Sequence, residues 1–174
     1  MRANVTMLAT ALVIVGAGAA YAETVSMNAI DASGIGKAIG TISLSDASEG
    51  LVVMPDLAGL PAGTHGIHVH VNPDCGPGAG ADGRPAAGFA AGGHYDPANT
   101  GKHLGPHGDG HKGDLPALQV DAGGNATTAI VAPHLKLADV KGRSIMIHAG
   151  GDNYSDLPSP LGGGGARIAC GVIK

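Results

Sequence analysis

The 174-residue sequence predicts an all-β domain, a β-sandwich or Greek-key barrel of eight short strands. Three observations predict it. Gly fills 31 positions and Pro 11, a composition hostile to a helical bundle. Short alternating or apolar runs recur, each bounded by Gly, Pro, Asn or Asp. No stretch keeps a helical period, apart from a turn near residues 135–140. The 44% hydrophobic and 14% charged content excludes a disordered chain. A formal net charge of −4 argues against binding nucleic acid through a basic surface.

Taken in order, the chain starts with Arg2, an apolar run over 7–20 and the small residues of Ala20-Tyr21-Ala22. This predicts a secretory signal peptide over 1–22 and a mature domain over 23–174. The alternative, a transmembrane anchor, needs an apolar run of about 20 residues, longer than this one. Residues 24–30 and 35–44 flank the turn Asp31-Ala32-Ser33-Gly34 and read as a hairpin, with Ala38, Gly40, Ile42 and Leu44 sharing one side. Further strands are expected at 50–57, 66–71, 117–121, 126–131, 143–148 and 166–173. Two long segments, 72–115 and 149–165, interrupt this rhythm. Loops of that length in a small domain are functional or disordered. The first carries four of the nine histidines and one cysteine, which favours function.

Export changes the reading of the cysteines. Cys75 and Cys170 are the only two, and an oxidising compartment allows them to bond. Closing a loop that long stabilises a fold by about 4–5 kcal/mol on the chain-entropy account. Two free buried thiols are the alternative.

The histidines suggest a metal. His68 and His70 stand at i and i+2, so on a strand both imidazoles face one side. His148 closes the apolar run Ile145-Met146-Ile147. His94, His103, His111 and Asp114 lie along the first long loop, and three imidazoles with one carboxylate suit tetrahedral zinc. His103, His107 and His111 share a helical spacing, but Gly105, Pro106, Gly108 and Gly110 argue against a helix. Composition alone leaves the metal open, and an adventitious solvated histidine loop is the competing reading.

Five segments carry a family resemblance. Gly66-Ile67-His68-Val69-His70, Gly92-Gly93-His94-Tyr95-Asp96-Pro97, Lys102-His103-Leu104-Gly105-Pro106 and Gly110-His111-Lys112-Gly113-Asp114-Leu115 occur in that order. Gly164-Gly165-Ala166-Arg167-Ile168-Ala169-Cys170-Gly171-Val172-Ile173 follows near the C-terminus. Together they resemble copper–zinc superoxide dismutases. The long segment after Cys75 and Gly150-Gly151-Asp152-Asn153-Tyr154-Ser155-Asp156 resemble the bacterial, exported branch.

The resemblance implies an eight-stranded Greek-key β-barrel, an immunoglobulin-like sandwich with two long functional loops. It implies copper on His68, His70, His94 and His148, and zinc on His94, His103, His111 and Asp114. Asp152 would link a copper histidine to a zinc histidine. Cys75 and Cys170 would form the intrachain disulfide. Arg167 would receive the anionic substrate, superoxide. His94 would bridge the ions and pass a proton to peroxide. Copper alternates between two oxidation states, whereas zinc does no redox chemistry. Arg84, in Asp82-Gly83-Arg84, is expected to help draw superoxide inward, the alternative being a solvated loop charge. His65 is expected to make structural hydrogen bonds, His107 to face solvent, and His134 receives no role. The implied enzyme works in the periplasm, as a monomer or homodimer, with no membrane attachment after signal cleavage. A copper-delivery domain is the competing class. Such a domain is expected to lack copper ligands or Arg167, or to carry an added Cys-rich segment, and none of these applies here.

Overall fold

Asp31 closes the first hairpin: its carboxylate accepts from the backbone N–H of Ser33 at 2.7 Å. In the computed structural model, which describes residues 23–174, this turn joins β1 (Glu23–Asp31) to β2 (Gly34–Ala47). The predicted signal peptide lies outside the described residues. β3 (Gly50–Ala58) completes an antiparallel meander. The chain then runs through β4 (Gly63–His65) and β5 (Ile67–His70) into the first long loop, which holds a small hairpin of β6 (Gly78–Ala79) and β7 (Pro85–Ala86). β8 (Leu118–Val120), β9 (Asn125–Ala126) and β10 (Ile130–Ala132) follow. One helical turn, α1 (Leu137–Val140), precedes β11 (Arg143–His148). After the second long loop comes β12 (Arg167–Ile173).

The main sheet runs β10-β3-β2-β1-β12-β11-β5, with β9 also on β3, and curls into an antiparallel barrel. The last strand lies between β1 and β11, so the two ends of the domain are neighbours. Ile42, Leu44, Leu51, Val53, Ile67, Val69, Ile145 and Ile147 fill the interior. A second apolar cluster of Ile30, Cys75, Ala91, Met146 and Cys170 sits apart from it and includes the Cys75–Cys170 disulfide, whose Cα atoms are 5.7 Å apart.

Two departures from simple alternation have physical causes. Ile39 and Ile42 are both buried, although period-2 reasoning puts them on opposite faces. The pairing shifts between Met27 and Asn28, opposite Gly40 and Ala38, which lets the strand change face. The strand expected over 126–131 appears as two pieces, β9 and β10. Their pairings with β3, Leu57 to Ala126 and Val53 to Ile130, share one unbroken register. The gap lies opposite Pro55, which has no N–H to donate.

Candidate metal centre

Every residue of β5 is buried. Ile67 and Val69 enter the core, so alternation sends His68 and His70 to the outer face. The first long loop covers that face. Val69 N donates to Gly113 O at 2.9 Å, Tyr95 N to Val69 O at 2.8 Å and Val71 N to Gly93 O at 3.1 Å. These bonds set His94 beside His70 and Asp114 beside His68. On neighbouring β11, Ile145 and Ile147 face the core, which places His148 on the same outer side.

Arg167 reaches this side through a bulge. Ile147 pairs with Ala169, but His148 pairs with Arg167, so Ile168 is an extra residue. Strict alternation would have placed Arg167 on the core side with Ala169. The bulge turns it outward beside His148. Its guanidinium donates to Gly88 O at 2.7 Å and Gly92 O at 2.8 Å and lies 4.5 Å from the centre of the Phe89 ring. Gly92 O also accepts from His70 Nδ1 at 2.9 Å, so one carbonyl positions both side chains.

Hydrogen bonds fix which ring nitrogens are free. His68 Nε2 and His103 Nε2 each donate at 2.8 Å to one oxygen of Asp152. His70 Nδ1 and His148 Nδ1 face the carbonyls of Gly92 and Gly165, the latter at 3.3 Å. A ring that donates through one nitrogen presents a lone pair on the other. Among the described residues, the buried side-chain atoms without a hydrogen-bond partner are His68 Nδ1, His70 Nε2, His94 Nε2, His148 Nε2, His103 Nδ1, His111 Nδ1, Asp114 Oδ2 and Ser144 Oγ. All but Ser144 Oγ belong to side chains the sequence proposes as ligands. Unpaired buried polar atoms are costly, and a shared cation accounts for the set.

Distances agree. One donor atom from each of His68, His70, His94 and His148 lies within 4.8 Å of the others. Around Asp114, His94 Nδ1 is 2.9 Å from Oδ1, His103 Nδ1 2.9 Å from Oδ2 and His111 Nδ1 3.5 Å from Oδ1. The His103 contact is close without hydrogen-bond alignment. Two ligands of one tetrahedral zinc ion lie about 3.3 Å apart, so these spacings suit zinc. The second group within 4.8 Å is His68, His94, His103 and Asp114, which leaves out His111, although His111 Nδ1 lies 3.5 Å from Asp114 Oδ1. His68 joins it because Asp152 ties its ring to that of His103, while only its Nδ1 remains free.

Burial governs the charges. It brings His94 down to about 4 against the pull of Asp114. Burial and the neighbouring His68 bring His148 down to about 3. Burial also lowers His68 and His70, so four rings stay neutral at neutral pH. For His103, burial is outweighed by the Asp114 and Asp152 carboxylates, which raise it to about 9. A proton and a metal cation compete for that nitrogen. Burial opposes ionisation of Asp114 and Asp152, but the histidines facing them hold both below the usual carboxylate range.

These shifts predict a direction for the metal-free protein. The four lowered histidines are equally neutral in folded and unfolded chains above about pH 6.5. Below it the unfolded chain binds protons that the folded one refuses, so stability falls as pH drops toward the folded-state values of about 4 for His94 and about 3 for His148. His103 does not oppose this, because its contribution is already complete below pH 6.5 and is lost only as pH rises through about 9. Urea midpoints of metal-free protein should fall from pH 7 to pH 5. An unchanged midpoint would contradict the buried neutral rings.

The remaining residues fall into place separately. His65 is buried with Nδ1 2.7 Å from His148 O and Nε2 2.8 Å from Pro61 O, a structural arrangement. Arg84 lies at the turn between β6 and β7, its side chain 86% exposed and 4.0 Å from Asp82. His107 and His134 are exposed. Sequence reasoning missed Gly162. At φ 72°, its backbone abuts the Asp152–His103 bond, and a Cβ there would come within 2.7 Å of His103 Nε2. Its place beside three other glycines was the only signal.

Two clusters of donors that share His68 and His94, on the outer face of an antiparallel barrel and under two loops, define a two-metal β-barrel protein. The sequence pattern described as "Copper/zinc superoxide dismutase (SODC)" matches residues 38–173. The chain is 52% identical to a superoxide dismutase [Cu-Zn] of Escherichia coli over 165 residues, 94% of this chain and 95% of that one. Its structure is similar to that of the Cu/Zn superoxide dismutase from Brucella abortus, with TM-score 0.86 and 55% identity, over 88% of this chain and all of that one. It is also similar to the monomeric copper, zinc superoxide dismutase from Salmonella enterica, with TM-score 0.79 and 54% identity, over 88% of this chain and all of that one. The chain belongs to the copper/zinc superoxide dismutase family.

Proposed function

We infer that this protein is an enzyme that converts superoxide to oxygen and hydrogen peroxide, with copper held by His68, His70, His94 and His148, and zinc by His94, His103, His111 and Asp114. The observation that carries this reading is the set of unpaired buried atoms, which includes one on each of these seven side chains and, besides them, only Ser144 Oγ among the described residues. Copper, when bound, supplies a one-electron couple that oxidises one superoxide and reduces the next, while zinc supplies fixed charge without redox chemistry.

The protein's own groups do the rest. A cleft of about 200 Å³, lined by Phe89, His94, His148, Leu161 and Arg167, gives a small anion access to this side of the cluster. Arg167, held by two carbonyls, attracts and orients the anion. His94 lines the same cleft, and its Nε2 can carry a proton to the peroxide product when that atom is not a ligand. Asp152 holds the rings of His68 and His103 in one arrangement. Purified protein loaded with one copper and one zinc should consume superoxide far faster than buffer. Equal rates would overturn the reading in favour of a metal-delivery domain.

Two substitutions test the assignment. Asp114→Ala should lower zinc affinity by on the order of 100-fold and loosen the first long loop, read by zinc titration and proteolysis. Zinc binding as tight as in the native protein would remove Asp114 from the ligand set. Arg84 contributes only long-range attraction from an exposed turn. Arg84→Ala should therefore slow the reaction modestly at low ionic strength and not at high. A rate equal to that of the native protein at both would show that Arg84 is a solvated loop charge.

Export to the periplasm follows from the expected signal peptide over 1–22 and suits the disulfide. Mass spectrometry of the secreted chain should find Glu23 first, and sedimentation of that material distinguishes monomer from homodimer.

A further inference from the structure

The two proposed metal sites face different openings. The copper-side cleft is lined by His94, His148 and Arg167 among others. A second cleft, of about 250 Å³, is lined by residues that include Ala98, Thr100, Asp109, His111, Asp114 and His134. The two linings share no residue.

His111 is the loosest of the proposed zinc ligands. Its side chain is 9% exposed, against 1%, 0% and 0% for His94, His103 and Asp114. The ring of His103 is tied through its other nitrogen to Asp152 at 2.8 Å. Among the described residues, no hydrogen bond holds the His111 ring. Metal leaves a site one ligand at a time, and the first to let go must have room to turn. The His111 side chain lines the second cleft, whose open volume gives the ring room to turn.

The second cleft also suits a dication. Asp109 and His134 are exposed on its wall, and both are residue types that bind zinc. Lys112, on the same wall, is neutralised by Asp139 at 2.8 Å. Zinc using the other opening would have to pass the ring of His94, which lines it and is shared with the proposed copper site.

We propose that zinc enters and leaves through the His111 cleft, with Asp109 and His134 as transient ligands at its mouth, while copper uses the separate opening beside Arg167. This rests on the zinc ligand set proposed above. It gives His134 and Asp109 a role in metal exchange and gives the two ions separate routes.

The test follows zinc and copper transfer from the copper–zinc holoenzyme to excess chelator. Ala98→Trp places bulk on an exposed wall of the His111 cleft. Asp109→Asn combined with His134→Gln removes the transient ligands with little change of shape. Leu161→Trp narrows the copper-side opening. Zinc release should slow on the order of tenfold in both cleft variants and stay at the native rate in Leu161→Trp. Copper release should be slowed only in Leu161→Trp. Any other pattern overturns the proposal: unchanged zinc release in either cleft variant, or slowed zinc release in Leu161→Trp. Equilibrium zinc content, one per native chain and reduced in Asp114→Ala, reports on the ligand set separately from the route.

Discussion

Replacing His148 with alanine is expected to cut superoxide consumption by on the order of 100-fold or more, since loss of even a partner that orients a ligand costs 10–100-fold. His148 supplies one of four lone pairs grouped within 4.8 Å. It stands at the end of β11, held there by pairing with β12 and by the bond of its N–H to Gly66 O at 2.9 Å. Alanine keeps both backbone features, so the barrel should fold. Three imidazoles would remain for copper, with a gap beside Arg167, the residue proposed to receive the substrate. Copper content should fall, while zinc content should hold, because His148 lies outside the group around Asp114. Metal analysis paired with the superoxide assay checks this. Full copper with a rate within tenfold of native would remove His148 from the copper site.

His68 and His70 were legible from the sequence because a strand has a period of two. With Ile67 and Val69 inward, the histidines had to face outward together. His94, His103, His111 and Asp114 were legible as a zinc-suited set of residue types, and the order of their motifs tied that set to a family. Nothing local says that a loop from 72 to 115 folds back along β5, since Tyr95 N donates to Val69 O, and Val69 N to Gly113 O, only after the chain has closed on itself. The resemblance pointed to Arg167, but its reach was hidden from periodicity for a different reason. Its outward aim depends on Ile168 being an unpaired extra residue, and a bulge leaves no mark in a run such as Arg167-Ile168-Ala169. The split of the strand at 126–131 was invisible because its cause, Pro55, lies on another strand. Periodicity reveals what a residue does within its own element. Pairing partners decide the rest.

Removing the disulfide, by Cys75→Ser with Cys170→Ser, is the second large effect expected. The bridge closes 95 positions of chain, and its loss should destabilise the metal-free protein by about 4–5 kcal/mol on the chain-entropy account. That is a large part of the roughly 5–15 kcal/mol that holds a typical domain together. The effect should also reach the guanidinium of Arg167. Cys75 and Ala91 pack in one small cluster with Cys170, and between them run Gly88 and the Phe89–Ala91 turn that leads into Gly92. The carbonyls of Gly88 and Gly92 are the two that hold Arg167, and Gly92 also holds His70. A loop released at Cys75 therefore loosens a guanidinium and a ligand ring together. The variant should unfold at lower denaturant when metal-free. When metal-loaded and folded, it should turn over more slowly and depend less steeply on salt, because a mobile cation attracts an anion less selectively. Denaturant titration and rates across ionic strength measure both consequences. A midpoint matching the native protein would show that the closed loop adds nothing to stability. A lower midpoint with unchanged rates would show that the bridge stabilises the barrel without positioning Arg167.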